Sequence, residues 1–205
     1  MFGFVTRAAA VAVCVVGATS AANAEMIDFD DIDLGGGATV LPIGNYVDLY
    51  FANFGCYTDE LYNEGGYGNG VVSGTQAAYQ AGGAPASVIA TSSAESSLDF
   101  YSGFFTAGWR DDLDIRVRAF VGTDNEEIYN EVFQISTDGP TFLEFNIEGA
   151  RMVTFESYGG TYAGFGVDGT NFIMDDLNVT IPAPAGMLLL GLGAFGGRSR
   201  RRMRA

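Results

Sequence analysis

The strongest constraint in this chain is a two-residue alternation of apolar and polar side chains, interrupted at intervals of roughly 8 to 12 residues by Gly, Asn, Asp or Pro. From Leu113 to Val121, Ile115, Val117, Ala119 and Val121 share one face, while Asp114, Arg116 and Arg118 share the other with Phe120. Leu143, Phe145 and Ile147 alternate with Glu144 and Asn146, and Val153 and Phe155 alternate with Thr154 and Glu156. That period belongs to a strand with one dry face, and the 3.6-residue stripe of an amphipathic helix is almost absent between Glu25 and Ile181. Gly122-Thr123-Asp124-Asn125, Thr137-Asp138-Gly139-Pro140 and Glu148-Gly149-Ala150 carry turn chemistry. About ten strands result, which predicts an all-β fold over residues 25–181: an antiparallel β-sandwich of the jelly-roll kind.

Composition narrows the chemistry. The 205 residues suit one folded domain and include no histidine, and all 10 basic residues are arginine. His-based triads, His-ligated zinc and lysine Schiff bases are thereby excluded, leaving carboxylates, tyrosine or a thiol for any catalysis. All 25 acidic residues lie between Glu25 and Asp176, where the basic residues are Arg110, Arg116, Arg118 and Arg151. A body this negative repels phosphate backbones, so nucleic acid is not an expected partner.

The ends read as addresses. Residues 1–24 hold Arg7, the small apolar run Ala8 to Gly17 and the triplet Ala22-Asn23-Ala24, which is the order of a secretory signal peptide cut by signal peptidase between Ala24 and Glu25. Residues 182–205 form a tail: Pro182-Ala183-Pro184, an apolar run that includes Met187, Leu188, Leu189 and Leu190, then a cluster with Arg198, Arg200, Arg201 and Arg202. As a helix, Ala185 to Gly197 would reach about 20 Å, short of a hydrocarbon core of about 30 Å. The expectation is a short apolar helix held transiently in a membrane, its arginines favouring the cytoplasmic side, and the alternative is an ordinary C-terminal anchor.

This tail resembles the PEP-CTERM sorting signal of Gram-negative bacteria, with Ala183 where the family motif has glutamate. The resemblance implies recognition by an exosortase and delivery to the cell surface or extracellular space, in the setting of exopolysaccharide production and biofilm formation. The body also resembles a recurring domain of PEP-CTERM proteins, through Ile27-Asp28-Phe29-Asp30-Asp31-Ile32, Gly103-Phe104-Phe105-Thr106-Ala107-Gly108-Trp109 and Phe172-Ile173-Met174-Asp175-Asp176-Leu177. The last of these segments is similar to the closing strand of carbohydrate-binding jelly rolls.

Strict alternation in that strand puts Ile173, Asp175, Leu177, Val179 and Ile181 on one face. A carboxylate in such a row must be paired, capped by backbone amides, bound to a cation or displaced by a bulge. Likeness to jelly rolls that hold a structural Ca²⁺ between first and last strands makes Asp28, Asp30, Asp175 and Asp176 the candidate calcium ligands. The alternative is that they cap turns at the sandwich edge.

Two segments, 57–69 and 158–168, mix aromatics with Gly, Asn and Asp, and their Tyr62, Tyr67, Tyr158 and Tyr162 are candidate platforms for polysaccharide, together with Trp109. Ordinary long turns would use the same residues, and Trp109, at an expected hairpin, also suits packing. Cys56 is the one cysteine after Ala24 and is expected to be a buried small hydrophobe. No catalytic residues are assigned. The expected function is a non-catalytic exported protein that binds polysaccharide and Ca²⁺, with a carboxylate-using polysaccharide enzyme and a self-associating matrix or adhesion protein as alternatives.

Overall fold

The computed structural model describes residues 25–35, 41–60, 63–91 and 96–181. Among them are eleven strands. The first six are β1 (Glu25–Ile27), β2 (Leu41–Tyr46), β3 (Leu49–Thr58), β4 (Gln76–Gln80), β5 (Ala86–Ala90) and β6 (Leu98–Ala107). The rest are β7 (Arg110–Val121), β8 (Glu126–Ile135), β9 (Thr141–Ala150), β10 (Met152–Tyr162) and β11 (Phe172–Thr180). The expected antiparallel β-sandwich is the fold observed. The ladder runs β8-β7-β10-β5-β3-β4-β11-β6-β9, with β1 on β11 and β2 on β3. This ribbon doubles over so that β7 and β8 face β6 and β9, and the rings of Phe133 and Phe145 meet across the gap at 5.2 Å.

The doubling over is made by β3. Its first half, Leu49–Ala52, pairs with β5, and its second half, Phe54–Thr58, pairs with β4. Asn53 stands between them at φ 60°, a left-handed conformation that asparagine tolerates better than most residues. Its Nδ2 donates to the carbonyls of Ala81, Ala84 and Pro85, the segment where the partner strand breaks. Because Asn53 takes up one residue without an extended step, Leu49 and Phe51 before it and Phe54 and Cys56 after it all face the core.

Between the layers, Phe155 of β10 is the central ring. It lies 5.9 Å from Phe54, 5.9 Å from Phe100, and 6.0 Å from both Phe105 and Phe172. Each such ring, taken fully out of water, contributes about 1.5–3 kcal/mol. In β7, Leu113, Ile115, Val117 and Ala119 are fully buried, as the alternation predicts. The connection Gly108-Trp109 is not the expected hairpin: β6 and β7 belong to opposite layers, and the chain crosses between them there.

β11 departs from strict alternation. Phe172 and Met174 face the core, and after them Leu177 and Val179, so the facing residues shift by one. The cause is a bulge at Asp176, φ 48°, where the register with β6 slips between Asp175 and Asn178. Ile173 and Asp175 therefore lie on the outer face, opposite Leu177 and Val179.

Candidate functional site

The aromatic candidates among the described residues lie in two places. Tyr67 and Trp109 are only 5 % and 6 % exposed and do not offer a free ring face. They close a second apolar cluster on the outer side of β3, β4 and β11, with Tyr57, Ala77 and Ile173 beneath them. Ring centres are 5.0 Å apart for Tyr67–Trp109 and 5.1 Å for Tyr57–Tyr67, and the Tyr57 hydroxyl donates to the Tyr67 carbonyl at 2.9 Å. The covering turn, Gly65–Gly68, comes so close that a Cβ on Gly66 would sit 1.7 Å from the Ala107 carbonyl oxygen. Local composition could not reveal this, because apolar rings in a glycine-rich segment look the same whether they cover a sheet or face water. Tyr62 lies outside the described residues. Tyr158 and Tyr162 are on β10, Tyr162 being 45 % exposed and accepting a hydrogen bond from the Gly166 amide.

Three of the four aspartates, Asp30, Asp175 and Asp176, converge on one segment, residues 72–76. Asp175, fully buried, accepts from the Val72 and Ser73 amides at 2.7 and 3.2 Å through Oδ2 and from the Asp176 amide at 2.8 Å through Oδ1. Asp176 accepts from the Ser73 hydroxyl at 2.6 Å. Asp30 accepts from the Thr75 and Gln76 amides at 2.8 and 3.1 Å, and Asp28 from the Asp30 amide at 3.2 Å. Burial pushes the Asp175 carboxyl up to about 7, against the three amide bonds that pull it down. These oxygens face N–H and O–H donors, and among the described residues no group of three or more Cys, Asp or Glu is placed to hold an ion. Capping by amides and displacement by a bulge together account for Asp175. Cys56 is buried, donates to Gln76 Oε1 at 3.3 Å, and burial pushes its thiol up to about 12.

The sequence pattern marked Arg116, Arg118 and Phe120 as the polar side of β7, and strand pairing turns that side into a surface. Across β7 and β10 the register sets Tyr158 opposite Asp114, Glu156 opposite Arg116, Thr154 opposite Arg118 and Met152 opposite Phe120. The last of these rows continues through Ile89 of β5 to Tyr50 of β3, which is 41 % exposed. On the other side, Val132 and Asn130 of β8 stand opposite Arg116 and Arg118. From Tyr158 to Met152 the face runs about 20 Å along the strands.

Charge and rings are interleaved on it. The Arg118 guanidinium lies 4.8 Å from the Phe120 ring centre and its Nε is 2.5 Å from Glu127 Oε2. Arg116 lies 5.6 Å from the Tyr158 ring centre and 4.0 Å from Glu156. Arg110 is engaged elsewhere, in a two-pronged bridge to Asp168 at 2.7 and 2.8 Å, and it donates to the Gly159 carbonyl at 3.0 Å. That ties the 163–170 segment to the start of β7. Chemically, the face offers ring surface near both ends and guanidinium, carboxylate and amide groups between. This is the equipment for holding hydroxylated chains, since a hydroxyl can accept from a guanidinium and donate to a carboxylate at once. Sequence reasoning named Tyr158 and missed the other members of this face, because cross-strand neighbours are set by register, which no local pattern states.

Ala24, Pro182, Ala183 and Pro184, together with the apolar run and the arginine cluster, lie outside the described residues. Glu25 begins β1 opposite Val179. Among the described residues no helix is long and apolar enough to cross a membrane.

No protein-family model matches the chain, and no curated protein matches it in sequence. Among solved structures it is similar to a DUF4465 family protein from Bacteroides caccae, at 10 % identity and TM-score 0.52, covering 78 % of this chain and 100 % of that one. That likeness supports the fold. More distant is the CBM22-1–CBM22-2 tandem of Paenibacillus barcinonensis Xyn10C, at 11 % identity and TM-score 0.40, with 82 % of this chain and 49 % of that one covered. TmCBM61, solved with β-1,4-galactotriose, follows at 8 % identity and TM-score 0.36, covering 66 % and 90 %.

Proposed function

We propose that this is an exported, non-catalytic protein that binds polysaccharide on the outer face of β8, β7, β10, β5 and β3. One observation carries the proposal: the register-built surface in which the partly exposed Tyr50 and Tyr158 are interleaved with Arg116, Arg118, Glu127 and Glu156. Rings can lie against sugar C–H faces while the charged groups take the hydroxyls. Binding is measured by affinity electrophoresis in gels containing soluble polysaccharides. The double variant Tyr50→Ala with Tyr158→Ala removes two partly exposed rings and leaves the core intact, so it should lose about tenfold or more in affinity while its melting temperature stays within a few degrees. Loss of binding with no release of reducing sugar from the wild type supports a binding module, whereas sustained sugar release identifies an enzyme.

Export and sorting belong to the same proposal and rest on the order of motifs at the two ends: Ala22-Asn23-Ala24 before Glu25, and Pro182-Ala183-Pro184 before the apolar run and the arginines. Signal peptidase would release Glu25 as the first residue, and an exosortase would act within the proline motif after a transient stay in the inner membrane. Intact mass of the secreted protein, from hosts with and without the sorting protease, tests both cuts. A secreted form that still carries Arg198 to Arg204 overturns the sorting part.

A further inference from the structure

The two arginines on the proposed face do not stand free. Arg118 is held by Glu127, whose other carboxylate oxygen accepts from Asn130 Nδ2 at 3.0 Å. Those two partners, Asn130 first and Arg118 second, keep the Glu127 carboxyl below its usual range, so it stays ionised across the neutral pH range. Arg116 stands directly opposite Glu156 in the β7–β10 ladder. Asp114, two residues before Arg116 on the same side of β7, adds a further negative charge beside Tyr158. Within a Debye length of about 8 Å at physiological ionic strength, each cation thus already has an anion in reach. Farther out, the body carries 25 acidic residues against four arginines.

A site built for a carboxylated chain would leave the guanidinium forks open for bidentate contact. Here Arg118 already donates through its Nε to Glu127 and Arg116 lies 4.0 Å from Glu156, so an incoming carboxylate competes with an existing ion pair at each guanidinium and meets the resident carboxylate beside it as a like charge. A hydroxyl meets no such obstacle, because it inserts between guanidinium and carboxylate and bonds to both.

We infer, on the basis of the polysaccharide-binding face proposed above, that its ligand is an uncharged polysaccharide, and that Glu127 and Glu156 are the residues that exclude a carboxylated one. These glutamates are specificity determinants, and the arginines they pair with serve hydroxyl groups.

The test is affinity electrophoresis of the wild type and of the double variant Glu127→Gln with Glu156→Gln. Gels contain neutral polymers (xylan, mixed-linkage glucan, galactan) or carboxylated ones (polygalacturonate, alginate), at about 20 and about 300 mM NaCl. Both substitutions are on the solvent side, and melting temperature checks that the variant is folded. The expected result is retardation of the wild type by at least one neutral polymer, insensitive to salt, and none by the carboxylated ones. The variant should gain about tenfold in retention by polygalacturonate, a gain that salt abolishes. Wild-type retention by polygalacturonate or alginate overturns the inference on charge while leaving the binding face standing. A folded double variant that still ignores both carboxylated polymers removes the exclusion role from the glutamates. Indifference of the wild type to every polymer overturns the binding face itself, and the inference with it.

Discussion

Asp175 is a buried acid whose neighbours supply amide hydrogens and no positive charge. The groups facing it are the Val72, Ser73 and Asp176 amides, with Asp176, Cys56 and Tyr57 as the nearby titratable side chains. Desolvation outweighs the amide bonds, so the carboxyl protonates near 7 in the folded state and near 4 in the unfolded chain. A group raised in this way stabilises fully below about pH 4, and its contribution fades as the pH climbs through 7, by at most about 4 kcal/mol. Asp175→Asn keeps an acceptor for Val72 and Ser73 and cannot ionise. Melting temperatures measured from pH 4 to 8 should show the wild type losing ground to the variant as pH rises, and a constant difference between the two would refute a neutral Asp175. At this scale the sequence was half legible. The rule that a carboxylate in an apolar row needs a bulge or a cap anticipated both, yet strict alternation assigned Asp175 to the wrong side, since the left-handed turn at Asp176 is a backbone event that aspartate permits without announcing. Trp109 shows the converse limit: its burial depends on the turn at Gly65–Gly68, more than 40 residues earlier.

Among the elements, β7 was the most readable from Leu113 to Ala119, where side chains alternate between dry and wet environments along a continuous ladder; past Ala119 the register with β8 shifts, so Phe120, expected on the polar side, is buried and Val121, expected on the dry side, is half-buried. β3 was the least readable, as it serves two layers and its pattern changes phase at Asn53. That residue supplies a testable hinge. Asn53→Ala places a Cβ-bearing residue without asparagine's tolerance at φ 60° and deletes the donor shared by Ala81, Ala84 and Pro85, which should cost about 2 kcal/mol or more in denaturant unfolding. Asn53→Gly accepts the dihedral angle and loses only the hydrogen bonds, so it should fall roughly midway between variant and wild type. Equal losses for the two would place the whole effect in the hydrogen bonds. The aromatic and charged members of the proposed face come from four elements, each unremarkable alone. Tyr50 and Tyr158 are about a hundred residues apart in the chain and share a surface only because β5 and β10 are neighbours in the ladder.

For the molecule as a whole, fold class followed from period and turn spacing, while layer membership did not, because connections such as Gly108-Trp109 look like hairpins and act as crossings. β1 and β11 are antiparallel neighbours, with Glu25 against Val179 and Ile27 against Leu177, so the body begins and finishes at a single corner. A circular permutant in which a short Gly/Ser linker joins residue 181 to residue 25, with new ends opened in the exposed turn at residues 122–125, should fold with a melting temperature close to that of the parent body, and an unfolded permutant would refute the adjacency. Thread and knot meet at that corner: a tether at either terminus holds the same edge, and a pull applied between the termini would part a three-residue seam like a zip long before it strained the aromatic interior.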